Sequence, residues 1–215
     1  MHLKRQKVPK NWPIYRKGTR YVVRPKNDLR NGIPLLVVLR DMLGIITNRK
    51  EAKRAIHERN ILVNSKYSLD EREGILLFDV IEIVPSKKAF RLELTENGKF
   101  LINEIKLSEA NEKISKIVDK KVLKGKRTQL NLSDGRNILS DLKCNINDSV
   151  ILNFKNKKID KCLALKEGSE AIIFAGKHSG KKGIIKGLDK EKKIAQVEFE
   201  DKSINVLIKQ LMVIK

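Results

Sequence analysis

The chain has 215 residues, and 47 Lys and Arg stand against 26 Asp and Glu, a formal net charge of +21 with a pI near 10.0. A chain this basic attracts polyanions, so nucleic acid is the first candidate partner and an anionic membrane surface the second. The longest apolar run, Ile33 to Leu39, is far short of the roughly 18 residues of a spanning helix. No apolar core follows the first basic residues as a secretory signal requires, so an intracellular protein with no membrane partner is expected.

Residues 1–32 carry a net charge of +9 and no sustained period, broken by Pro9, Pro13, Pro25, Gly18 and Gly32. This predicts an extended basic arm, anchored by Trp12, Tyr15 and Tyr21, that is poorly ordered alone and orders on RNA by neutralising phosphates. Residues 33–85 are neutral overall and predict a compact α+β unit. Pro34 suits the first turn of a helix, Leu35, Val38, Leu39, Met42 and Leu43 follow helical spacing, and Gly44 fits the stop. Asn48 can cap a second helix with Glu51 three residues on, as in a capping box. Ala52, Ala55 and Ile56 face inward there. Arg49 with Lys53, and Lys50 with Arg54, then share the outer face as a basic ridge. The acids of this unit concentrate at 70–82, away from that ridge. Residues 61–63 predict a strand, 64–66 a turn, and 75–84 a closing strand pair or bent strand.

Residues 86–165, net +8, predict a mostly-β domain. Phe90, Leu92 and Leu94 alternate with polar residues, Asn97-Gly98 is a hairpin turn, and Phe100 and Ile102 resume the pattern. Ala110, Ile114, Ile117 and Val118 predict one short helix with Ser108 as its cap. Asp134-Gly135 marks another hairpin, and Val150, Leu152 and Phe154 alternate again. Residues 166–215, net +4, predict short strands at 171–174, 183–186, 194–199 and 203–206, which suits a small barrel. Aromatic residues make up only 5% of the chain, which favours recognition of folded RNA through backbone and shape over base stacking. Cys144 and Cys162 lack metal or redox spacing and read as buried small hydrophobes in a reducing compartment.

The helix pair and the strand–turn Val63-Asn64-Ser65-Lys66, followed by Phe78-Asp79-Val80-Ile81, resemble the small RNA-binding module named after bacterial ribosomal protein S-four. Asn48 stands where Ser or Thr is usual, and Phe78 replaces a Gly. The resemblance places Arg49, Lys50, Lys53 and Arg54 on RNA phosphates, with Arg40, Asn48 and Lys66 beside them. The stretch Ala175-Gly176-Lys177-His178-Ser179-Gly180-Lys181-Lys182-Gly183-Ile184-Ile185 resembles the KOW motif of ribosomal proteins and elongation factors. Gly176 and Gly180 permit a tight positive-φ loop that presents Lys177, Lys181 and Lys182 with His178, and Gly183 lets another chain pass closely. A phosphate-binding loop of nucleotide hydrolases is the competing reading. It fails on the spacing between the glycines, on Lys182 at the hydroxyl position, and on a strand where a helix should follow. No histidine, cysteine or acid has the spacing of a metal site or a catalytic set, so no cofactor and no enzyme activity are expected.

These parts, in this order, resemble the archaeal and eukaryotic small-subunit ribosomal family called S-four-e, most like its archaeal members. The match includes His2-Leu3-Lys4-Arg5, Pro9-Lys10-Asn11-Trp12-Pro13-Ile14, Arg16-Lys17, Leu39-Arg40-Asp41-Met42-Leu43 and Asn97-Gly98-Lys99-Phe100. The resemblance implies an α+β multidomain chain: arm (1–32), S-four-like module (33–85), mostly-β central domain (86–165) and KOW-type β-barrel (166–215). It implies a structural constituent of the small subunit in the cytoplasmic ribosome. The partners implied are rRNA and neighbouring ribosomal proteins, with no small-molecule substrate and no homo-oligomer. In the arm, Lys4, Arg5, Lys7, Lys10, Trp12, Arg16 and Lys17 would contact RNA. Arg49→Glu with Lys53→Glu is expected to weaken RNA binding without unfolding the domain. The alternatives are a transient regulator or assembly factor with a KOW barrel, and an RNA-modifying enzyme, for which residues 86–165 offer no catalytic motif.

Overall fold

The computed structural model describes residues 2–125, 127–189, 191–199 and 202–214. The chain forms two compact units, one running to Leu94 with Lys99–Asn111, the other comprising Thr95–Gly98 and the chain from Glu112 onward.

In the first unit the arm is folded back on itself, which corrects the expectation of an extended, poorly ordered segment. Strand β1 (Leu3–Lys4) pairs antiparallel with β2 (Tyr21–Val22). The side chains of Leu3, Val8 and Trp12 are buried. Arg5 fastens the reversal by donating to Thr19 O at 2.7 Å, Thr19 Oγ1 at 2.7 Å and Tyr15 O at 2.9 Å. Three aperiodic apolar residues thus find cover, only Leu3 of them in a strand, which periodicity does not reveal.

Strand β3 (Ile33–Pro34) leads into α1 (Leu35–Val37), which continues as a π-turn over Val38–Met42. Its first amides donate to a loop, Leu35 N to Glu73 O and Leu36 N to Glu71 O. Gly44, at φ +65°, follows the helical run as expected of a left-handed stop. Helix α2 (Arg49–His57) follows, then β4 (Ile61–Val63), β5 (Lys66–Tyr67), β6 (Gly74–Ile75), β7 (Val80–Ile83), β8 (Lys88–Leu94) and β9 (Phe100–Ile105). β6 pairs with β3, and the others form an antiparallel sheet in the order β5-β4-β7-β8-β9. The β8–β9 hairpin, expected with the central domain, therefore belongs to this sheet. Ala89 on β8 and Ile105 on β9 pack with Val80 and Ala110.

The β4–β5 turn has Asn64 at φ +51° and Ser65 at +60°, the two left-handed positions of a tight hairpin. The buried Asn64 side chain donates to Asp79 Oδ1 at 2.8 Å and accepts from Val80 N at 3.1 Å. Asp79 Oδ2 accepts from Leu76 N at 2.7 Å. Phe78, just before this network, is buried at φ +63°.

In the second unit residues 112–122 form β10 (Glu112–Val122), not the expected short helix. Ile114, Ile117, Val118 and Val122 are β-branched and suit a pleated strand. β11 (Thr128–Leu132), β12 (Asn137–Leu139), β13 (Ser149–Asn153) and β14 (Lys158–Leu163) complete a sheet in the order β12-β11-β10-β13-β14. Ile117, Leu130, Leu132, Cys144, Val150 and Leu152 form its core, and a buried ion pair joins Lys113 to Asp134 at 3.1 Å. β15 (Glu170–Ile173), β16 (Lys182–Asp189), β17 (Ile194–Phe199), β18 (Lys202–Leu207) and β19 (Leu211–Val213) form a second antiparallel sheet in the order β18-β17-β16-β15-β19. Residues of β15, β16, β17 and β19, with Ile208, share one core, so this sheet curls around it.

The two sheets are joined by polar contacts. Buried Lys116 on β10 donates to Ile208 O, and to Leu211 O at 2.8 Å. Ser149 Oγ accepts from Val213 N at 3.0 Å.

Candidate nucleic-acid interface

Helix α2 is positioned from its first turn. Asn48 Oδ1 accepts from Glu51 N at 3.0 Å. The return bond closes one residue further upstream than in a capping box: Glu51 accepts from Thr47 N and Thr47 Oγ1, each at 2.9 Å. These bonds from Thr47 hold the Glu51 carboxyl below its ordinary range. Ala52 and Ile56 are buried, so Arg49, Lys50, Lys53 and Arg54 lie on the exposed face.

The ridge is not uniform. Arg49 Nε donates to Glu71 Oε1 at 2.8 Å, although Glu71 is nearly fully buried and 22 residues away. This corrects the expectation that the 70–82 acids lie away from the ridge: the loop that receives the first amides of α1 also carries Glu71 onto α2. It also corrects the expected effect of Arg49→Glu, which would set a second carboxylate against a buried one and so destabilise the unit. Arg54 pairs with Glu58 at 2.8 Å one turn on, and Arg40 binds both Asp41 oxygens, at 3.0 and 2.8 Å. Among the described residues Lys50 and Lys53 have no ion-pair partner and are exposed. Lys66 is exposed at the end of the Asn64-Ser65 turn.

In the arm, Lys4, Lys7, Lys10 and Lys17 are exposed. Arg5 and Arg16 instead bind the arm's own carbonyls, Arg16 Nη1 donating to Val8 O at 2.9 Å. Trp12 is only 3% exposed and its indole N–H donates to Gly32 O at 3.1 Å, so it anchors the fold and offers no face to a partner. Sequence reasoning passed over Arg24, Lys26 and Arg72, which line a groove with Arg49. The signal was Arg24-Pro25-Lys26: Pro25 is buried, which leaves both flanking cations outside.

In the second unit the loop from β15 to β16 exposes Lys177, Lys181 and Lys182, with His178 half-buried. Gly176 and Gly180 take φ +93° and +94°. A Cβ on Gly180 would lie 1.8 Å from Thr95 O, and one on Gly183 would lie 2.2 Å from Glu198 O, so backbone passes both too closely for a side chain. Lys181 Nζ stands 5.9 Å from the centre of the Phe199 ring, a cation–π contact. Lys182 opens strand β16, so the helix a nucleotide-phosphate loop needs does not follow. Among the described residues no three His, Cys, Asp or Glu come together as a metal site, and no helix is long and apolar enough to cross a membrane.

Each unit thus presents exposed ammonium groups on a backbone fixed by caps, turns or close glycine contacts. The family described as "Ribosomal family S4e" matches residues 86–159, and the "RS4NT (NUC023) domain" matches residues 1–27. A protein of Methanocella arvoryzae named "Small ribosomal subunit protein eS4" is 38% identical over 188 residues, which are 86% of this chain and 80% of that protein. One of the same name from Archaeoglobus fulgidus is 33% identical over 213 residues, 96% of this chain and 90% of that protein. The crystal structure of the 30S ribosomal protein S4e from Thermoplasma acidophilum matches with a TM-score of 0.73 over 86% of this chain and 95% of that one, at 24% identity, a likeness of fold. With relatives this similar over most of their own length, the chain belongs to the eS4 family of small ribosomal subunit proteins, a family of structural proteins and not of enzymes.

Proposed function

We propose that this chain is a structural constituent of the small ribosomal subunit in the cytoplasmic ribosome, held there by Lys and Arg contacts to rRNA phosphates. The observation that carries the reading is the Lys50–Lys53 pair, exposed and, among the described residues, free of ion-pair partners, on a helix whose start is capped and whose Arg49 is fixed by Glu71. Point charges on a rigid support position a protein on folded RNA without reading bases. In this reading residues 33–85 are the S-four-like module and residues 166–215 a KOW-type barrel. Each adds its own set of cations, and the arm adds Lys4, Lys7, Lys10 and Lys17.

Two experiments test it. The tagged chain, expressed in its own cells and sedimented with magnesium, is expected with small subunits and whole ribosomes at near one copy each. Presence only on precursor particles, or at the top of the gradient, would make it a transient assembly factor or regulator. In filter binding to small-subunit rRNA, Lys50→Glu with Lys53→Glu is expected to weaken binding at least tenfold. It should also make the salt dependence shallower by about two, as counterion release at roughly 0.9 per phosphate requires. Unchanged affinity with an unchanged melting curve would refute the assignment of the ridge.

A further inference from the structure

A groove of about 520 Å³ lies between the arm and the start of α2, lined by His2, Leu3, residues 22–26, Arg49 and Arg72. Among the described residues no carboxylate lines it. Two of its cations are held by acids outside the lining: Arg49 by Glu71, and Arg72 by both oxygens of Asp70, with Nε at 3.3 Å and Nη2 at 2.9 Å. These bonds use only part of each guanidinium's donor fork and fix its orientation. Among the described residues the other two, Arg24 and Lys26, have no ion-pair partner. They flank buried Pro25, and Lys26 N donates to Arg72 O at 2.7 Å, which ties the arm segment to the opposite wall. The His2 ring is held 5.2 Å from the Tyr21 ring at the groove's edge. With the two ion pairs neutral overall, Arg24 and Lys26 leave the groove an uncompensated charge of two.

We propose that this groove takes a single phosphodiester of the rRNA backbone, inserted with its sugar between the arm and α2. The inference rests on the rRNA-binding reading above and extends it to a concave site. The volume falls within the roughly 300–1,000 Å³ of clefts that enclose whole ligands, so a backbone unit fits where a run of duplex phosphates would not. An acidic peptide shares some of this chemistry, but the groove continues into the ridge. Arg49 and Arg72 also line the neighbouring hollow that contains Lys53, so one strand can pass from the groove onto α2.

The test uses the full chain and small-subunit rRNA. Arg24→Ala with Lys26→Ala removes two exposed side chains that have no ion-pair partner among the described residues, and its melting curve should match the parent's. It is expected to bind rRNA roughly tenfold more weakly at moderate salt, with a salt slope shallower by about one, because both cations serve one phosphate. Ethylation of RNA phosphates should reveal one position that blocks the parent and not the variant. A slope change near two would mean two separate phosphates and overturn the single-phosphate site. Equal affinity and an unchanged ethylation pattern would overturn the groove while leaving the rRNA reading intact. Failure of the parent chain to bind rRNA would remove both. Inorganic phosphate at millimolar concentration should leave RNA binding unchanged. If it protected Lys26 from acylation while RNA did not, the groove would be a small-anion site and the proposal would fall.

Discussion

Replacing Lys116 with Met isolates a charge that the second unit buries. The Lys116 ammonium has left water to donate to Ile208 O and Leu211 O, and burial pulls it from 10.5 down to about 8. In the unfolded chain the group titrates near its ordinary value, so between pH 8 and 10.5 the unfolded state holds a proton that the folded state has released. Stability must then rise with pH across that window, and stay flat below it where both states are protonated. The full difference is about 3 kcal/mol at 1.36 kcal/mol per unit, and about 2 kcal/mol of it is gained between pH 7 and pH 9.5. Met has similar length and no charge. The offset between the two proteins at pH 7 combines the relieved burial of a charge with the lost donors at two carbonyls, whereas the pH dependence of their difference isolates the lysine. Urea unfolding of both proteins from pH 6.5 to 9.5 should show the parent gaining about 2 kcal/mol relative to Lys116→Met. A difference that stays flat, or that falls with pH, would refute the burial argument.

Phe78 takes a left-handed φ that costs roughly 1 kcal/mol in any residue with a Cβ, so Phe78→Gly should be less destabilising than Phe78→Ala. Both should lose stability through the missing buried ring, by about 3–5 kcal/mol in the alanine variant; an alanine variant more stable than the glycine one would contradict the strain. Asn48→Ala should cost about 1 kcal/mol through the lost cap on α2, while Asn48→Ser should be nearly neutral, as read by chemical denaturation. The Cys162 thiol is pushed up to about 12 by burial and by its neighbours Cys144 and Asp148. Alkylation by iodoacetamide at pH 8 should therefore be roughly a thousandfold slower than for a free thiol and recover in denaturant; rapid labelling of the folded chain would show the site to be open.

The parts of the fold that the sequence revealed were those governed by local rules. Gly44 stops α1, Asn48 caps α2, and Asn64-Ser65, Asn97-Gly98 and Asp134-Gly135 turn hairpins, each through the preference of one or two residues. β10 was hidden because Ala110, Ile114, Ile117 and Val118 happen to recur at helical intervals. Its β-branched content and two hydrogen-bonded neighbours, β11 and β13, decide for a strand. The folded arm was hidden because guanidinium-to-carbonyl bonds hold it, and these leave no periodic trace. The Arg49–Glu71 pair and the Lys116 contacts join residues far apart in the chain, so no local pattern announces them. Lysines 113 and 116 look like surface residues in sequence. Only the fold shows that they are not: Lys113 is buried against Asp134, and Lys116 against the carbonyls of Ile208 and Leu211.

The candidate RNA contacts divide by residue type in a way that bears on recognition. All five arginines among them, Arg5, Arg16, Arg40, Arg49 and Arg54, donate to groups within the protein. Among the described residues the exposed lysines 4, 7, 10, 17, 50, 53, 66, 177 and 182 have no ion-pair partner. The physical reason lies in the donors. A planar fork reaches two acceptors at fixed angles and so can fasten a loop, whereas an ammonium is a mobile point charge that adapts to any phosphate. Among these candidates guanidinium thus serves the fold's own geometry and ammonium stays exposed, with Arg24 of the groove an exposed exception, and in the proposed reading this favours salt-dependent backbone binding over base readout. It follows that Arg and Lys are not exchangeable in the same direction everywhere. Lys50→Arg and Lys53→Arg should keep rRNA affinity within a few fold, since a positive charge remains on the same face. Arg5→Lys should loosen the arm, because one ammonium cannot replace donors to Thr19 O, Thr19 Oγ1 and Tyr15 O together. Faster proteolysis of residues 1–32 with unchanged melting of the rest would report that loosening, and an arm as resistant as the parent's would show that Leu3, Val8 and Trp12 alone hold it.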